Sequence, residues 1–472
     1  MFSIEKIADR DSTQSKLIEK IAKISIYTLA LIIVVVLAAR SGKLLIFPFP
    51  VVCTVLGCLL AQQLPSLYIE YTFWLWFLAP VIRRIIDYQS GYFTPGPWNL
   101  VPLLVTSISL VTFFQHLPKL KHKEIVVFAL PISGIFYSFL IGLVNGLPIG
   151  KVLIELASMV GPISFGFYIY IHWQDYPRIR ASLEKTLLWG LICISSYGIF
   201  QFLAPPEWEA FLLNSEFSNP TFGRPIPYEI RVFSTMNSPQ TCACALSTAL
   251  LVLIASKPSL IKLPALVFGS LTLLLTLART FWLGFLVGLL ALIPFLKMRS
   301  QLRLLAILVS VGFFVVLVAT DESFSDVISK RLNSLSDTSD DVSLTVRREA
   351  FFKFLGFALT RVIGSGLAGA DVLNVDTFAA GDSGFLYILV SLGLLGSIPY
   401  LIGLSSGIVA IYKIRNYKND DLISSTKAIA ASSSFFFFFI AINEFFGVAV
   451  WSFIGIGLSA SKYYIHQLKV YD

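Results

Sequence analysis

The chain has 472 residues, of which 56% are hydrophobic and 14% charged, and its mean hydropathy is +0.78. Those values exclude an ordinary soluble domain and indicate a polytopic membrane protein. The net charge of +8 asks for no nucleic-acid partner, because basic loops facing an anionic leaflet account for it.

Taken from the amino terminus, the first 23 residues are polar and run directly into a helix of spanning length. No cleavable signal is therefore expected, and the first helix is expected to serve as its own insertion signal. Apolar runs follow at 24–39, 44–61, 67–82, 98–115, 125–144, 152–171, 186–204, 237–256, 262–278, 280–296, 303–319, 384–411, 428–442 and 445–461. A helix needs roughly 20 residues to cross a hydrocarbon core, and each run reaches or approaches that length. The fold class expected is an all-α polytopic membrane protein of about fourteen transmembrane helices, with 12–14 compatible with the shorter runs.

Charge sets the expected orientation. With the amino terminus inside, the inner segments hold 22 of the 36 Lys and Arg residues. Six of the others lie in one long loop that the positive-inside rule does not count. Both termini are thus expected in the cytoplasm. Arg40, Lys43, Arg83 and Arg84 fall on the wrong side of this scheme, which makes the first spans its weakest part.

Two outer segments break the short-loop pattern. Residues 205–235 carry Trp208, several prolines, Arg224 and Arg231; residues 321–383 carry the flexible run SLSDTSDD and an amphipathic helical pattern over 344–359, so short helices are expected in that loop. Loops of this length usually carry function. Arg279, in the run LLLTLARTFWLG that ends at Gly284, sits between two apolar stretches at the same outer level. A guanidinium stays charged and is expensive at bilayer depth, so it asks for an anionic partner. The five cysteines (Cys53, Cys58, Cys193, Cys242, Cys244) all fall within apolar runs and read as small buried hydrophobes rather than a disulfide framework.

Four patterns occur in order: RVFSTMNSPQTCACAL from Arg231, LLLTLARTFWLG, RREAFFKFLGFALTRVIGSGLAG from Arg347, and DSGFLYILVSLGLLG from Asp382. Together they resemble the O-antigen ligase and O-antigen polymerase superfamily over roughly residues 190–410. The apolar runs and charges give a cytoplasmic tail 1–23, amino-terminal helices 24–204 and carboxy-terminal helices with a tail 412–472, and the resemblance marks 205–411, with the outer loops 205–235 and 321–383, as a family-like core. The resemblance implies a metal-independent inverting glycosyltransferase of the bacterial plasma membrane, without a cofactor. Such enzymes move a glycan from a polyprenyl diphosphate carrier to a glycan or lipid acceptor on the outer face, beside a flippase and a chain-length regulator. Arg231 and Arg279 match the family's two diphosphate-holding arginines. Bidentate guanidinium donors in a dry site suit a departing diphosphate. The family's ligases carry a histidine in the long loop, whereas His116, His122, His172 and His466 all map to the inner side here. Asp382 stands in the matching region as the candidate proton acceptor. That departure favours a polymerase over a ligase.

Each residue also has a plainer reading. Arg279 would snorkel to the interface or pair with Glu444, Arg231 would be an ordinary loop arginine, and Asp382 would cap the helix starting at Gly384. Arg224, Arg347, Arg348 and Glu444 are candidates for acceptor or glycan contacts. Arg347 and Arg348 equally suit a solvated helix face, and Glu444 with Asn443 a plain turn. Asp337, Asp340 and Asp341 resemble a calcium loop in composition only. Glu155 is expected to pair with Lys151 one turn away, and the Phe435–Phe439 run reads as packing or lipid-facing bulk. A solute or anion transporter is the rival class, but no internal repeat is evident.

Overall fold

The computed structural model describes residues 2–91, 100–215, 220–296, 362–369, 383–415, 420–440, 442 and 445–471, with isolated positions between 298 and 360. The protein is an all-α polytopic membrane protein: the described residues contain no strand, only an isolated bridge between Gly223 and Ile230. The helices are α1 Phe2–Ala38, α2 Pro48–Gln63, α3 Pro65–Ser90, α4 Val101–Ser107, α5 Ser109–His116, α6 Leu130–Val144, α7 Ile149–Ile171 and α8 Tyr176–Leu203. They continue as α9 Glu207–Leu213, α10 Pro239–Ala255, α11 Lys262–Leu275, α12 Arg279–Leu292, α13 Gly384–Tyr412, α14 Asp421–Phe436 and α15 Phe445–Tyr471. Eight segments are long and apolar enough to cross a membrane by length and composition, and α10, α11 and the segment Arg279–Phe295 are shorter apolar helices.

Contacts between helix ends sort the bundle into two ends. At one, Arg84 near the end of α3 reaches Glu209 just beyond α8, and Val232 donates to the Leu275 carbonyl at the end of α11. At the other, Ser182 in the first turns of α8 meets Glu70 in the first turns of α3. Lys427 of α14 lies over Phe295, and Tyr464 of α15 reaches Asp420. We call these the arginine end and the opposite end. Along the described chain the ends alternate in the order expected from the apolar runs.

The run predicted at 303–319 lies mostly outside the described residues; the other thirteen coincide with helices. Several of them begin or end elsewhere, and for three the difference follows from partnering. Helix α3 continues past 82 to Ser90 because Arg84 and Asp87 are paired to Glu209 and Arg83. Helix α8 starts at Tyr176, ten residues before 186, where Arg180 pairs with Glu184 and Asp420. Helix α14 starts at Asp421 rather than 428 and ends at Phe436: the Asp420 carboxylate caps it, and its polar first turns, Ser424 to Lys427, are buried.

Small residues let backbones approach where apolar attraction between helices is weak. A Cβ on Gly166 of α7 would stand 2.3 Å from the Trp451 carbonyl oxygen of α15. Helix α1, by contrast, leaves Leu31 and Val34 more than half exposed.

One stretch of irregular backbone enters the bundle. Residues 362–369 lie between α6 and α13, with Ser365, Leu367 and Ala368 buried. Helix α13 is interrupted at Gly393 (φ 63, ψ −179), which releases carbonyls and an N–H to a partner. Ser365 donates to Val390 (2.9 Å), Gly366 to Ser391 (3.0 Å), Leu367 to Ser138 of α6 (3.1 Å), and Leu395 donates back to Val362 (3.2 Å). Non-helical backbone at such depth is tolerated only when it is satisfied within the protein.

Candidate functional site

At the arginine end, α11 and α12 are separated by a three-residue break. Thr276 turns the chain out of α11, Leu277 takes the left-handed conformation (φ 52), and Arg279 becomes the first residue of α12. A branched side chain at positive φ is strained by about 1–3 kcal/mol, so the surroundings must hold it. They do so by the Leu277 N–H on Leu274 (3.0 Å), the Thr276 hydroxyl on Leu273 (2.7 Å) and the Trp282 indole on Leu273 (2.9 Å).

Arg231 is brought to this break from a distant hairpin. Its amide donates to Phe222 (2.8 Å), and that of Val232 to Leu275 (3.1 Å). Its side chain donates from Nε to the Thr276 carbonyl (3.3 Å) and from Nη1 to the Thr221 carbonyl (3.2 Å). The Arg231 guanidinium therefore lies against the peptide three positions ahead of Arg279, and both arginines are half-buried. The positive end of the α12 dipole adds to the same field.

Helix α14 packs against α12. Phe281 of α12 stacks on Phe436 at 4.5 Å between centroids, and Gly284 gives room for that ring. The turn that follows α14 receives the start of α13: Gly384 donates to Ile440 (2.8 Å) and Phe385 to Phe437 (3.0 Å). A continuous set of contacts thus links Arg231, the α11–α12 break, the end of α14 and the start of α13.

Asp382, Glu444, Arg347 and Arg348 lie outside the described residues, as do Asp337, Asp340, Asp341 and Asn443. Ser383 and Phe445, which are described, stand at the arginine end. The helix cap at Gly384 is Ser383, whose hydroxyl accepts from the Leu386 amide. Arg224 is 78% exposed and 3.9 Å from Glu229, a solvated hairpin pair of the kind worth at most about 1 kcal/mol. Glu155 makes no ion pair with Lys151; its carboxylate accepts from the Tyr387 hydroxyl of α13 at 2.6 Å and from the Ser158 hydroxyl of its own helix at 3.4 Å. The Phe435–Phe439 run divides as bulk does, Phe436 and Phe437 buried, Phe438 and Phe439 exposed. The cysteines are free, and all are buried or half-buried.

A network that sequence patterns do not reveal lies under the arginines. Arg84, 4% exposed, donates from Nη1 to the Met236 carbonyl (2.6 Å) and from Nη2 to the Ser234 carbonyl (2.5 Å), and forms an ion pair with Glu209, whose Oε2 lies 2.9 Å from Nε. The other Glu209 oxygen accepts from Tyr197 (2.6 Å), which accepts from the Trp208 indole (2.7 Å). The Gln201 carbonyl oxygen accepts from the amides of Phe233 (3.1 Å) and Ser234 (2.8 Å). The available signal was the wrong-side placement of Arg84: a charge buried against a carboxylate no longer reports topology.

Chemically, one arginine fork seated against the break and a second arginine at the first position of α12 suit an anion. Among the described residues, no three His, Cys, Asp or Glu side chains are grouped to hold a metal ion. No protein-family model and no curated protein matches the chain.

Proposed function

We propose that this protein is a membrane glycosyltransferase that polymerises polyprenyl-diphosphate-linked oligosaccharide repeat units at the arginine end, as its motifs' resemblance to the O-antigen ligase and polymerase superfamily implies. The observation that carries the reading is the convergence of Arg231 and Arg279 on the break between α11 and α12.

In the proposed reaction, an acceptor hydroxyl oxygen attacks the anomeric carbon of the donor glycan. The bond from that carbon to the diphosphate oxygen breaks, its electron pair leaves with polyprenyl diphosphate, and the anomeric configuration inverts. Negative charge grows on the leaving diphosphate. Fixed donors from Arg231 and Arg279, with the α12 dipole, stabilise it more as it forms than in the bound donor. The acceptor proton passes to the Asp382 carboxylate, beside the Ser383 cap of α13. In this reading the arginine end faces outward, both termini lie in the cytoplasm of a bacterial plasma membrane, and a flippase and a chain-length regulator are partners. The excess of Lys and Arg in the inner segments supports that orientation.

Deleting the gene and resolving surface glycans on a gel tests the reading. Loss of the chain-length ladder with single repeats retained is the expected result. Loss of all glycan from its acceptor would redirect it to ligation, and an unchanged pattern would overturn it in favour of transport.

A further inference from the structure

Arg84 has no place in the reaction above, yet among the described residues it is the most thoroughly enclosed arginine at that end. Its Nη1, Nη2 and Nε are turned to two carbonyls and a carboxylate, and its plane lies 4.9 Å from the centre of the Phe233 ring. A guanidinium so occupied has little left for a substrate anion. What it grips is instructive. Both carbonyls belong to the turn 234–236, immediately downstream of Arg231, and Ser234 in that turn has φ 51. The same turn is held from its other side by Gln201 through the amides of Phe233 and Ser234, and the Ser234 hydroxyl is tied to the Ile194 carbonyl of α8 at 2.5 Å. Carbonyls and amides of one short turn are therefore clamped from opposite sides by α3 and α8.

We infer that Arg84 is a positioning residue for lipid-diphosphate binding: held by Glu209, Tyr197 and Trp208, it fixes the 233–236 turn so that Arg231 stands at the α11–α12 break beside Arg279. This rests on the proposed role of Arg231. The physical demand is plain, since a strained turn between a hairpin and α10 would otherwise relax and carry Arg231 with it. Misplacement by about 1 Å is enough to cost up to roughly 10²-fold in a site that depends on geometry. Lysine at position 84 keeps one positive charge but cannot reach two carbonyls and Glu209 with a planar fork.

The test is a double-mutant cycle on the full-length protein in lipid nanodiscs, read as the dissociation constant for undecaprenyl diphosphate. Arg84→Lys and Arg231→Ala are each expected to weaken binding by roughly 10-fold or more. If Arg84 acts through Arg231, the double variant binds no worse than Arg231→Ala alone; a separate or merely structural contribution multiplies the two losses. Multiplied losses, or wild-type affinity in Arg84→Lys, overturn the positioning role and leave the Arg231 assignment standing. Wild-type affinity in Arg231→Ala overturns the diphosphate site itself, and the inference with it. Should Arg84→Lys fail to fold, Trp208→Phe carries the same cycle from the far end of the network. It removes one hydrogen bond to Tyr197, and a loss of roughly fivefold is expected that vanishes in the Arg231→Ala background; a loss that persists there overturns the role.

Discussion

Each end of the bundle has a buried carboxylate with an arginine and tyrosine partners, but the two arrangements end differently. At the opposite end, Asp420 accepts from Tyr176 (2.6 Å), Tyr464 (3.0 Å) and the Leu422 amide (3.1 Å) and pairs with Arg180 (3.2 Å). Every partner sits on a regular helix, and the knot closes on itself. At the arginine end, Glu209 passes through Arg84 to loop carbonyls. The backbone differs in the same way. Among the described residues, the non-glycine positions with positive φ are Arg40, Tyr228, Ser234, Leu277 and Ala368, and all five stand toward the arginine end. Strain of this kind persists only where its surroundings over-determine it, and it gathers at functional sites. One end is built to join helices; the other holds an irregular backbone in place.

That contrast can be broken in several ways. The largest effect is all-or-none labelling. In a background lacking the five native cysteines, Thr221→Cys is expected to react with an impermeant thiol reagent added outside cells, and Ser259→Cys, between α10 and α11, is not. The reverse pattern would turn the proposed outward end inward. Next, Arg279→Lys is expected to lower turnover by about 10²-fold, since it keeps the charge and loses the fork, with Arg231→Lys milder. Full activity in purified Arg279→Lys would remove that arginine from the chemistry.

Stability separates the two ends more finely. Arg84→Met strands the Glu209 carboxylate and is expected to cost about 3–5 kcal/mol. Asp420→Asn keeps one acceptor oxygen, enough for two of the four contacts, and is expected to cost about 1–3 kcal/mol. Thermal unfolding in detergent measures both. Only Arg84→Met should also weaken lipid-diphosphate binding; an equal effect from Asp420→Asn would erase the distinction drawn here. The smallest effect is Ala368→Gly, which relieves a left-handed alanine (φ 62) and is expected to raise stability by about 1 kcal/mol. A lower melting temperature would show that the docked segment is not strained.

Hydropathy made the helices legible because lipid demands long apolar runs. Their polar extensions were not legible, since nothing local distinguishes a solvated arginine from one buried against a carboxylate more than a hundred positions away, as Arg84 is with Glu209. The i,i+4 spacing of Lys151 and Glu155 was a true helical neighbour relation, but the better acceptor geometry lay across the bundle on Tyr387. Arg279 could be singled out because an arginine between apolar runs is costly in itself, and Arg231 only because its motif resembles the superfamily's; the turn that holds Arg231 depends on side chains from α3 and α8 that no spacing links to it.

The segment 362–369 falls within the long segment 321–383 that precedes α13, yet its amides at Ser365, Gly366 and Leu367 are bonded to α13 and α6 inside the bundle. In solvent deuterium these three should exchange on the slow timescale of the helices that flank them rather than with ordinary loop amides. Their release would require α6 and α13 to part. Slow exchange there, measured residue by residue, would identify this short stretch as part of the cooperative unit that sets global unfolding.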